Sequence, residues 1–591
     1  MNRIILLFGV LFVLVWGCSN DQSREGLLCK TDKQCNGLRC INFVCTSVEG
    51  VVPQEFAPEQ PSNTNEGVNE TTSETSSNEP LQDQTTGPES PVEPKAEAPS
   101  HSEHSTDETG PEVPQPEQSF EASTEPIVDG GNEQSKEAPI APEPSQEAIA
   151  ERPIVDGPPS QPKWHSVQGA QGPHHGTFKP SAPRMVFDKH DNLYITGRFE
   201  GVMKLGTHTL SSKGATDFFI AKMSPAGVWL WAKRGGGSSQ DSDGGLAVGK
   251  NGDVYVAGSF GGLAEFGGTT LAFEGGSDMF YAKFDSKGNW LWVKQVGDVG
   301  GLGFGGLAID SNDNIYVTGS MGASAKFGSY SIASTGSYSR GYVAKANSNG
   351  IWQWAKSING YTVPGKLAAV DSKDRLYIVG MAAGEPTLDK VTIKKKSAFN
   401  VYIYCLDTTG KGKVLWSATA EGGKSDPMDI SFDSKDNLYI TGYSVGAASF
   451  GTTTFQGKTD EDAYVAKLDN KGQWQWAKQI RSAFFERAWG VATDRWDNVY
   501  VTGQYNGILN IGTTPLKSLG RADVYVASLT EQGQWRWALS AGGKERDEGR
   551  HIRVNSLGTA FVVGHFLGKG TLGTLSFTPP GSRNIFLAEI R

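Results

Sequence analysis

The stretch Leu193-Tyr-Ile-Thr-Gly197 decides the fold, because it returns six more times in the chain. The other copies are Val254-Tyr-Val-Ala-Gly258, Ile315-Tyr-Val-Thr-Gly319, Leu376-Tyr-Ile-Val-Gly380, Leu438-Tyr-Ile-Thr-Gly442, Val499-Tyr-Val-Thr-Gly503 and Ala560-Phe-Val-Val-Gly564. Their closing glycines are 61, 61, 61, 62, 61 and 61 residues apart. A fixed period of this kind means one supersecondary unit used repeatedly.

One unit reads in full from Gly306 to Ile358. Leu307 to Ile309 is a short apolar strand, Asp310-Ser-Asn-Asp-Asn314 a turn, and Ile315 to Ser320 a second strand. A glycine-rich stretch leads to Gly341-Tyr-Val-Ala-Lys345, the turn Asn347-Ser-Asn-Gly350 and the strand Ile351 to Lys356. Runs of Val, Ile, Tyr and Trp between Asp, Asn and Gly clusters are strand and hairpin signals. Four strands per unit and seven units predict an all-β, seven-bladed β-propeller over residues 162–591.

The fourth strand carries Trp229 and Trp231, Trp290 and Trp292, Trp352 and Trp354, Trp474 and Trp476, Trp535 and Trp537, with Val414 and Trp416 the one substituted pair. Residues two apart share a face of a strand. A pair repeated in nearly every unit is what blade packing predicts. The seventh unit stops at Asn584 to Arg591, which matches a third strand and lacks a fourth; Lys163 to Gln168 can supply it. Pairing the first and last segments removes exposed edges.

The repeat resembles the SBBP repeats of bacterial secreted and surface proteins over 164–591, through Asp433 to Gly442 and Asp462 to Asp469. Unit four departs at Asn400 to Cys405 and in a two-residue insertion near Lys411. The resemblance implies a propeller; activity does not follow, because propellers host many chemistries.

The net charge of −11 hides three unlike regions. Residues 51–160 hold 24 acidic and 3 basic side chains with 18 of the 29 prolines, whereas 161–591 hold 37 acidic and 46 basic ones. The chain opens with Arg3, the apolar run Ile4 to Val15, and Val15-Trp-Gly-Cys18. These are the parts of an export signal over 1–17, too short to span a bilayer. Val15 to Cys18 resembles the bacterial lipobox. That implies acylation of Cys18 as the mature first residue and, with Ser19 following, an outer-membrane lipoprotein whose partner through the lipid is the membrane.

After a spacer over 18–28, Cys29, Cys35, Cys40 and Cys45 form a close set at 29–45. In an exported chain this is a small disulfide framework with three possible connectivities; a zinc site would expect closer pairs and histidine. Cys405 stands where other units carry Lys222, Lys283, Lys345 and Lys467, which reads as repeat drift. Residues 46–161 are a disordered acidic linker by composition, rich in Pro, Glu, Ser and Thr.

Several phrases imitate chemistry. Gly442-Tyr-Ser-Val-Gly446 spells a nucleophile elbow without the strand-to-helix turn it needs. Gly301-Leu-Gly-Phe-Gly-Gly306 spells a dinucleotide fingerprint, but a strand follows it. Asp310 to Asn314 lacks the turn glycine and distal glutamate of a calcium loop. Gly410-Lys-Gly-Lys-Val-Leu-Trp416 resembles quinoprotein repeats.

The turns after strands one and three are short and uniform. The other connections are long and varied, and binding usually resides in such loops. The units stop resembling one another at Arg481 to Trp489, Lys544 to Arg550, Tyr361 to Lys366, and Asp241 with Asp243, and these supply a candidate face of Tyr361, Lys366, Phe484, Phe485, Arg487, Trp489, Arg546 and Asp547. Trp, Tyr and Arg are favoured interface anchors.

The expectation is a monomeric, non-enzymatic, lipid-anchored adhesion or recognition protein without metal or cofactor, binding a protein or polysaccharide and no nucleic acid. The alternatives are a periplasmic quinoprotein-like enzyme and a periplasmic envelope scaffold.

Overall fold

Each copy of the tyrosine phrase is the second strand of a four-stranded antiparallel sheet, and the seven sheets are the blades of a propeller. The computed structural model describes residues 39–41, 44–46, 162–170 and 183–591, the last without 274–277, 298–300, 334–339, 361, 395–398, 458–459 and 579–583. The chain divides into two units, Met1–Glu137 and Ala138–Arg591, and the propeller lies in the second. Cys18, Cys29 and Cys35 lie outside the described residues. Cys40 and Cys45 are register partners in the ladder of Arg39–Ile41 with Val44–Thr46.

In blade one, Arg184–Phe187, Leu193–Phe199, Asp217–Met223 and Trp229–Gly237 pair in that order, from the axis outwards. Blade seven is built from both ends of the propeller. Glu548–Val554, Ala560–Phe566 and Asn584–Ile590 come from the C-terminus, and Trp164–Gly169 is the outer strand. Trp164 pairs with Ile590 and Ser166 with Glu589. The expected closure by the N-terminal strand is therefore the one observed.

The unit holds more than four strands. A hairpin such as Val202–Leu205 with His208–Ser211 lies between the second and third strands of every blade. Ala264–Phe266, Thr387–Leu388 and Gly570–Leu572 extend the outer strand of the preceding blade to make six-stranded sheets. These runs of two to four residues sit in what sequence reading takes for glycine-rich loops. Their tight turns need a left-handed residue, supplied by Gly206 at φ 58° and by Asp389 at φ 55° in blade four.

The two aspartates of the Asp-x-x-Asp-Asn turn have different tasks. The first, Asp310, accepts the Asn312 and Asn314 N–H groups (both 2.9 Å) and the Tyr316 hydroxyl (2.8 Å). It therefore shapes its own turn and anchors the buried tyrosine of the repeat phrase. The second, Asp374, sits at φ 58° and accepts the backbone N–H (2.8 Å) and hydroxyl (2.6 Å) of Ser311 in the preceding blade. Asp and Asn tolerate that left-handed conformation better than other side chains. One turn sequence thus encodes a fold within a blade and a staple between blades.

The core consists of apolar layers between adjacent blades. Met185, Leu193 and Phe219 of blade one pack with Val563, Ile585 and Leu587 of blade seven. The phrases that imitate chemistry are structural. Ser444 is buried within the strand Leu438–Val445, and Gly303 to Gly306 belong to the strand Leu302–Ile309. Cys405 is buried, and burial pushes its thiol up to about 12.

Candidate functional site at the axial mouth

Strand alternation puts all first-to-second and third-to-outer turns on one face of the disc. The hairpins and blade-to-blade connections lie on the other. On that second face the inner strands of blades two to seven share a β-bulge, between Asp243 and Gly245, Phe304 and Gly306, Gly365 and Leu367, Pro427 and Asp429, Ala488 and Gly490, and Gly549 and His551. The extra residue is Gly244, Gly305, Lys366, Met428, Trp489 and Arg550 in turn. Bulges re-aim side chains and cluster beside functional sites. In blades two and three the bulge carries no side chain; in blades four to seven it carries large ones.

Lys366, Trp489 and Arg550 belong to one network across blades four to seven. Lys366 pairs with Asp426, which also accepts the Tyr443 hydroxyl (3.2 Å). Arg487 makes a two-point fork on Glu461, with Nη2 to Oε1 at 2.7 Å, and its guanidinium lies 4.8 Å from the centre of the Tyr443 ring. Trp489 lies between Arg487 (5.3 Å) and Arg550 (4.0 Å). Glu548 is held by Arg550 Nε (2.7 Å) and Arg546 Nε (2.8 Å), and Arg546 reaches the Phe485 ring at 5.8 Å. Phe484 stands exposed, its ring against the Gly507 turn of the same blade. Burial, together with neighbouring Arg546 and Arg487, lowers the pKa of Arg550 although Glu548 opposes the shift. Trp489 Nε1 has no hydrogen-bond partner among the described residues.

The structure therefore brings Lys366, Phe485, Arg487, Trp489 and Arg546 into one place, while Phe484 is exposed against the Gly507 turn. Tyr361 lies outside the described residues. Asp547 belongs elsewhere: it is fully buried, and its carboxylate accepts the N–H groups of Gly543 (2.7 Å) and Leu567 (2.9 Å). Asp241 does the same for Gly237 (2.7 Å) and Gly261 (3.3 Å). Burial raises Asp547 to about 7 and Asp241 to about 6. Both close loops, so neither presents an exposed charge.

Sequence reading missed Tyr443 and Glu461 as members of the site, and it did not single out Glu548 and Arg550 within the divergent stretch Lys544 to Arg550. The available signal was their departure from the repeat at aligned positions: Tyr443 stands where Ser259 and Ser320 stand, and Arg550 where Gly244 and Gly305 stand.

Beneath the mouth, a cavity of about 120 Å³ on the axis is lined by Arg184, Asp429, His551 and Arg553 among glycine and aliphatic residues. Asp429 accepts from Arg553 Nη1 (3.0 Å) and from the Val491 N–H (3.0 Å). Burial raises its pKa, but Arg553 and His551 outweigh that and hold it below the usual range. The Met185 N–H donates to His551 Nδ1 (3.2 Å), so the proton of the neutral ring sits on Nε2, 3.6 Å from Asp429 Oδ2. Burial and then Arg553 keep that histidine uncharged far below its ordinary pKa. Among the described residues no group of three His, Cys, Asp or Glu side chains is placed to hold a metal ion.

No family model matches the chain. It is 21% identical over 392 residues to an uncharacterised WD repeat-containing protein of Acanthamoeba polyphaga mimivirus, covering 52% of this chain and 28% of that protein. The chain thus spans under a third of that relative's length. Among solved structures it is similar to the Pan2 WD40 domain of Neurospora crassa, with a TM-score of 0.35 and 10% identity over 68% of this chain and 87% of that one. A gluconolactonase of Xanthomonas campestris gives 0.30 and 9% over 72% of this chain and 98% of that one. The NanB sialidase of Streptococcus pneumoniae gives 0.31 and 10% over 65% of each chain. WD repeat proteins and propeller enzymes are thus both among the proteins similar to this chain, which is an all-β seven-bladed propeller.

Proposed function

We propose that this chain is a non-catalytic recognition protein of the bacterial cell envelope, with the mouth over blades four to seven as its binding face for a protein or polysaccharide. The observation that carries the reading is Trp489 held between Arg487 and Arg550, each guanidinium itself fixed by a carboxylate. Side chains already locked in place lose little entropy on binding, and Trp with Arg is the favoured anchor chemistry. Four basic groups (Lys366, Arg487, Arg546, Arg550) face three acidic ones (Asp426, Glu461, Glu548), so ring contact and directed hydrogen bonds select the partner rather than bulk charge. The anchor at Cys18 rests on the Arg3 to Cys18 pattern, and the acidic linker would hold the propeller away from the membrane.

Cells displaying wild-type or W489A protein are to be compared for retention on immobilised glycans and surface proteins. The expected result is a loss of at least about tenfold for W489A, the scale of one anchor residue. W489F, which keeps a ring between the arginines, should retain part of the binding. Equal retention by W489A and wild type would overturn the face assignment. Trypsin added to intact cells, cutting at Lys95, Lys136 or Arg152, should release the propeller if it faces outwards. Protection until the outer membrane is opened would move the partner to the periplasm.

A further inference from the structure

The outer strands of six blades carry a tryptophan at one register position: Trp231, Trp292, Trp354, Trp416, Trp476 and Trp537, opposite Lys222, Lys283, Lys345, Cys405, Lys467 and Ser528. Five of these rings cover the turn glycine of the next blade. A Cβ added to Gly288 would stand 2.6 Å from Trp231, to Gly412 2.7 Å from Trp354, and to Gly472 2.6 Å from Trp416. The Trp231 ring is held by the edge of Tyr194 (6.0 Å), by Phe284 stacked on it (6.3 Å) and by the Ser286 carbonyl, which accepts its Nε1 at 3.2 Å. Trp476 repeats the bond to the carbonyl of Glu531 at 3.0 Å.

At the junction of blade seven with blade one the position opposite Glu589 is Ser166. There the turn glycine is Gly227, and a Cβ on it would meet nothing nearer than Gln168 Nε2 at 3.2 Å. The rest of the seat is present: Phe561 takes the place of Tyr194, Met223 that of Phe284, and the Pro225 carbonyl that of Ser286. The space is a cavity of about 690 Å³, its apolar wall formed by Phe187, Leu193, Met223, Phe561 and Leu587. That lies within the range of small-ligand pockets and exceeds what one indole ring occupies. The Glu589 carboxylate is taken up by the Ser166 hydroxyl (3.1 Å) and Arg591 Nε (2.6 Å), so no unpaired charge governs entry.

We propose that this seam cavity, on the face opposite the mouth, binds a small planar aromatic molecule carrying one N–H donor, an indole-class ligand. The ring takes the place that the repeat's own tryptophan fills elsewhere, edge-on to Phe561 and over Gly227, with its N–H on the Pro225 carbonyl. This site is independent of the reading of the mouth.

Indole, 1-methylindole and N-acetyltryptophanamide are titrated calorimetrically into the full-length protein. Indole is expected to bind and to raise the melting temperature, and 1-methylindole, lacking the donor, to bind about tenfold more weakly, as loss of one buried hydrogen bond implies. S166W, which restores the repeat's side chain, should abolish indole binding and melt higher than wild type. S166L, a smaller filling, should weaken binding at least about tenfold and covers the case in which S166W fails to fold. N-acetyltryptophanamide separates the sources of the ring: binding shows that a tryptophan side chain of a peptide is accepted, and indole binding alone confines the site to free molecules. No binding of indole by the wild type up to its solubility limit, or undiminished binding by S166W and S166L, would overturn the proposal.

Discussion

Ser556, in the inner turn of blade seven, donates its backbone N–H to Asp191 Oδ1 (2.9 Å) and its hydroxyl to Asp191 Oδ2 (2.6 Å) in blade one. The same two bonds join Ser434 to Asp497 (both 2.8 Å) between blades five and six. The blades that meet only when the chain closes are therefore stapled like blades that are neighbours in sequence. S556A should cost about 1 kcal/mol, the net worth of one such bond. D191A should cost about 2 kcal/mol, because both bonds are lost and alanine is strained at φ 58°. D191N should fall between them, since asparagine tolerates that conformation. Urea denaturation of the three variants checks the order.

Ring closure depends on a strand of six residues, Trp164–Gly169. Deleting 162–170 strips the outer strand from blade seven, exposes the edge of Asn584–Ile590 and leaves the ring open. Deleting 91–99 removes an equal length of linker. The first deletion should lower the melting temperature and open the propeller to trypsin, and the second should leave both unchanged. Equal melting of the two proteins would mean that closure contributes nothing.

Four buried carboxyls give the propeller an unusual pH dependence. Burial raises Asp547 and Glu486 to about 7, and Asp241 and Asp523 to about 6. A carboxyl whose folded pKa lies above its unfolded value holds more protons folded than unfolded between the two, so stability falls as pH rises across that window. The window runs from near 4 to about 7. His551, kept neutral by burial, acts in the opposite sense below its ordinary value of 6.5, one group against four. The melting temperature should therefore be higher at pH 5 than at pH 8, and D547N should narrow the difference. A melting temperature that rises from pH 5 to pH 8 would contradict the assignment.

The pair Asp429 and Arg553 closes the axis with a buried carboxylate. D429A leaves Arg553 without its carboxylate and the Val491 N–H without its acceptor, and should cost about 3 kcal/mol or more, as removal of one partner of a buried pair does. D429L combined with R553L removes both charges and should cost less than D429A alone. A double-mutant cycle in guanidinium measures the coupling; additive losses would show that the two charges act separately.

Much of the propeller was legible because its information is local. The Asp-x-x-Asp-Asn turn, the tyrosine two residues beyond it and the left-handed glycines each rest on hydrogen bonds spanning a few residues, so they recur with the period and can be read from one copy. The closing strand was legible for a related reason: Asn584 to Arg591 lacks a following partner, and Lys163 to Gln168 is the one segment that repeats the outer-strand pattern out of order. The hairpins escaped reading because two to four residues carry too little pattern; each is a strand by pairing with its own partner, and three also dock on the preceding blade, as Phe266 opposite Gly235 does.

The mouth was half legible. Arg487 and Trp489 stood out as departures from the repeat, but their partners did not: Glu461 is 26 residues away and Asp426 is 60 from Lys366. Asp547 looked like an exposed loop charge and is a buried loop lock, a difference set by whether backbone N–H groups turn inwards to meet it. The sequence by itself determined the repeat, the blade number and the strand that closes the ring, because each follows from hydrogen bonding and apolar pattern within one unit. Only the tertiary structure decided which side chains meet at the mouth and that Ser166 leaves a ring-sized space at the seam. Both depend on how bulged strands of different blades are brought side by side by closure, and that juxtaposition is not written in any one repeat.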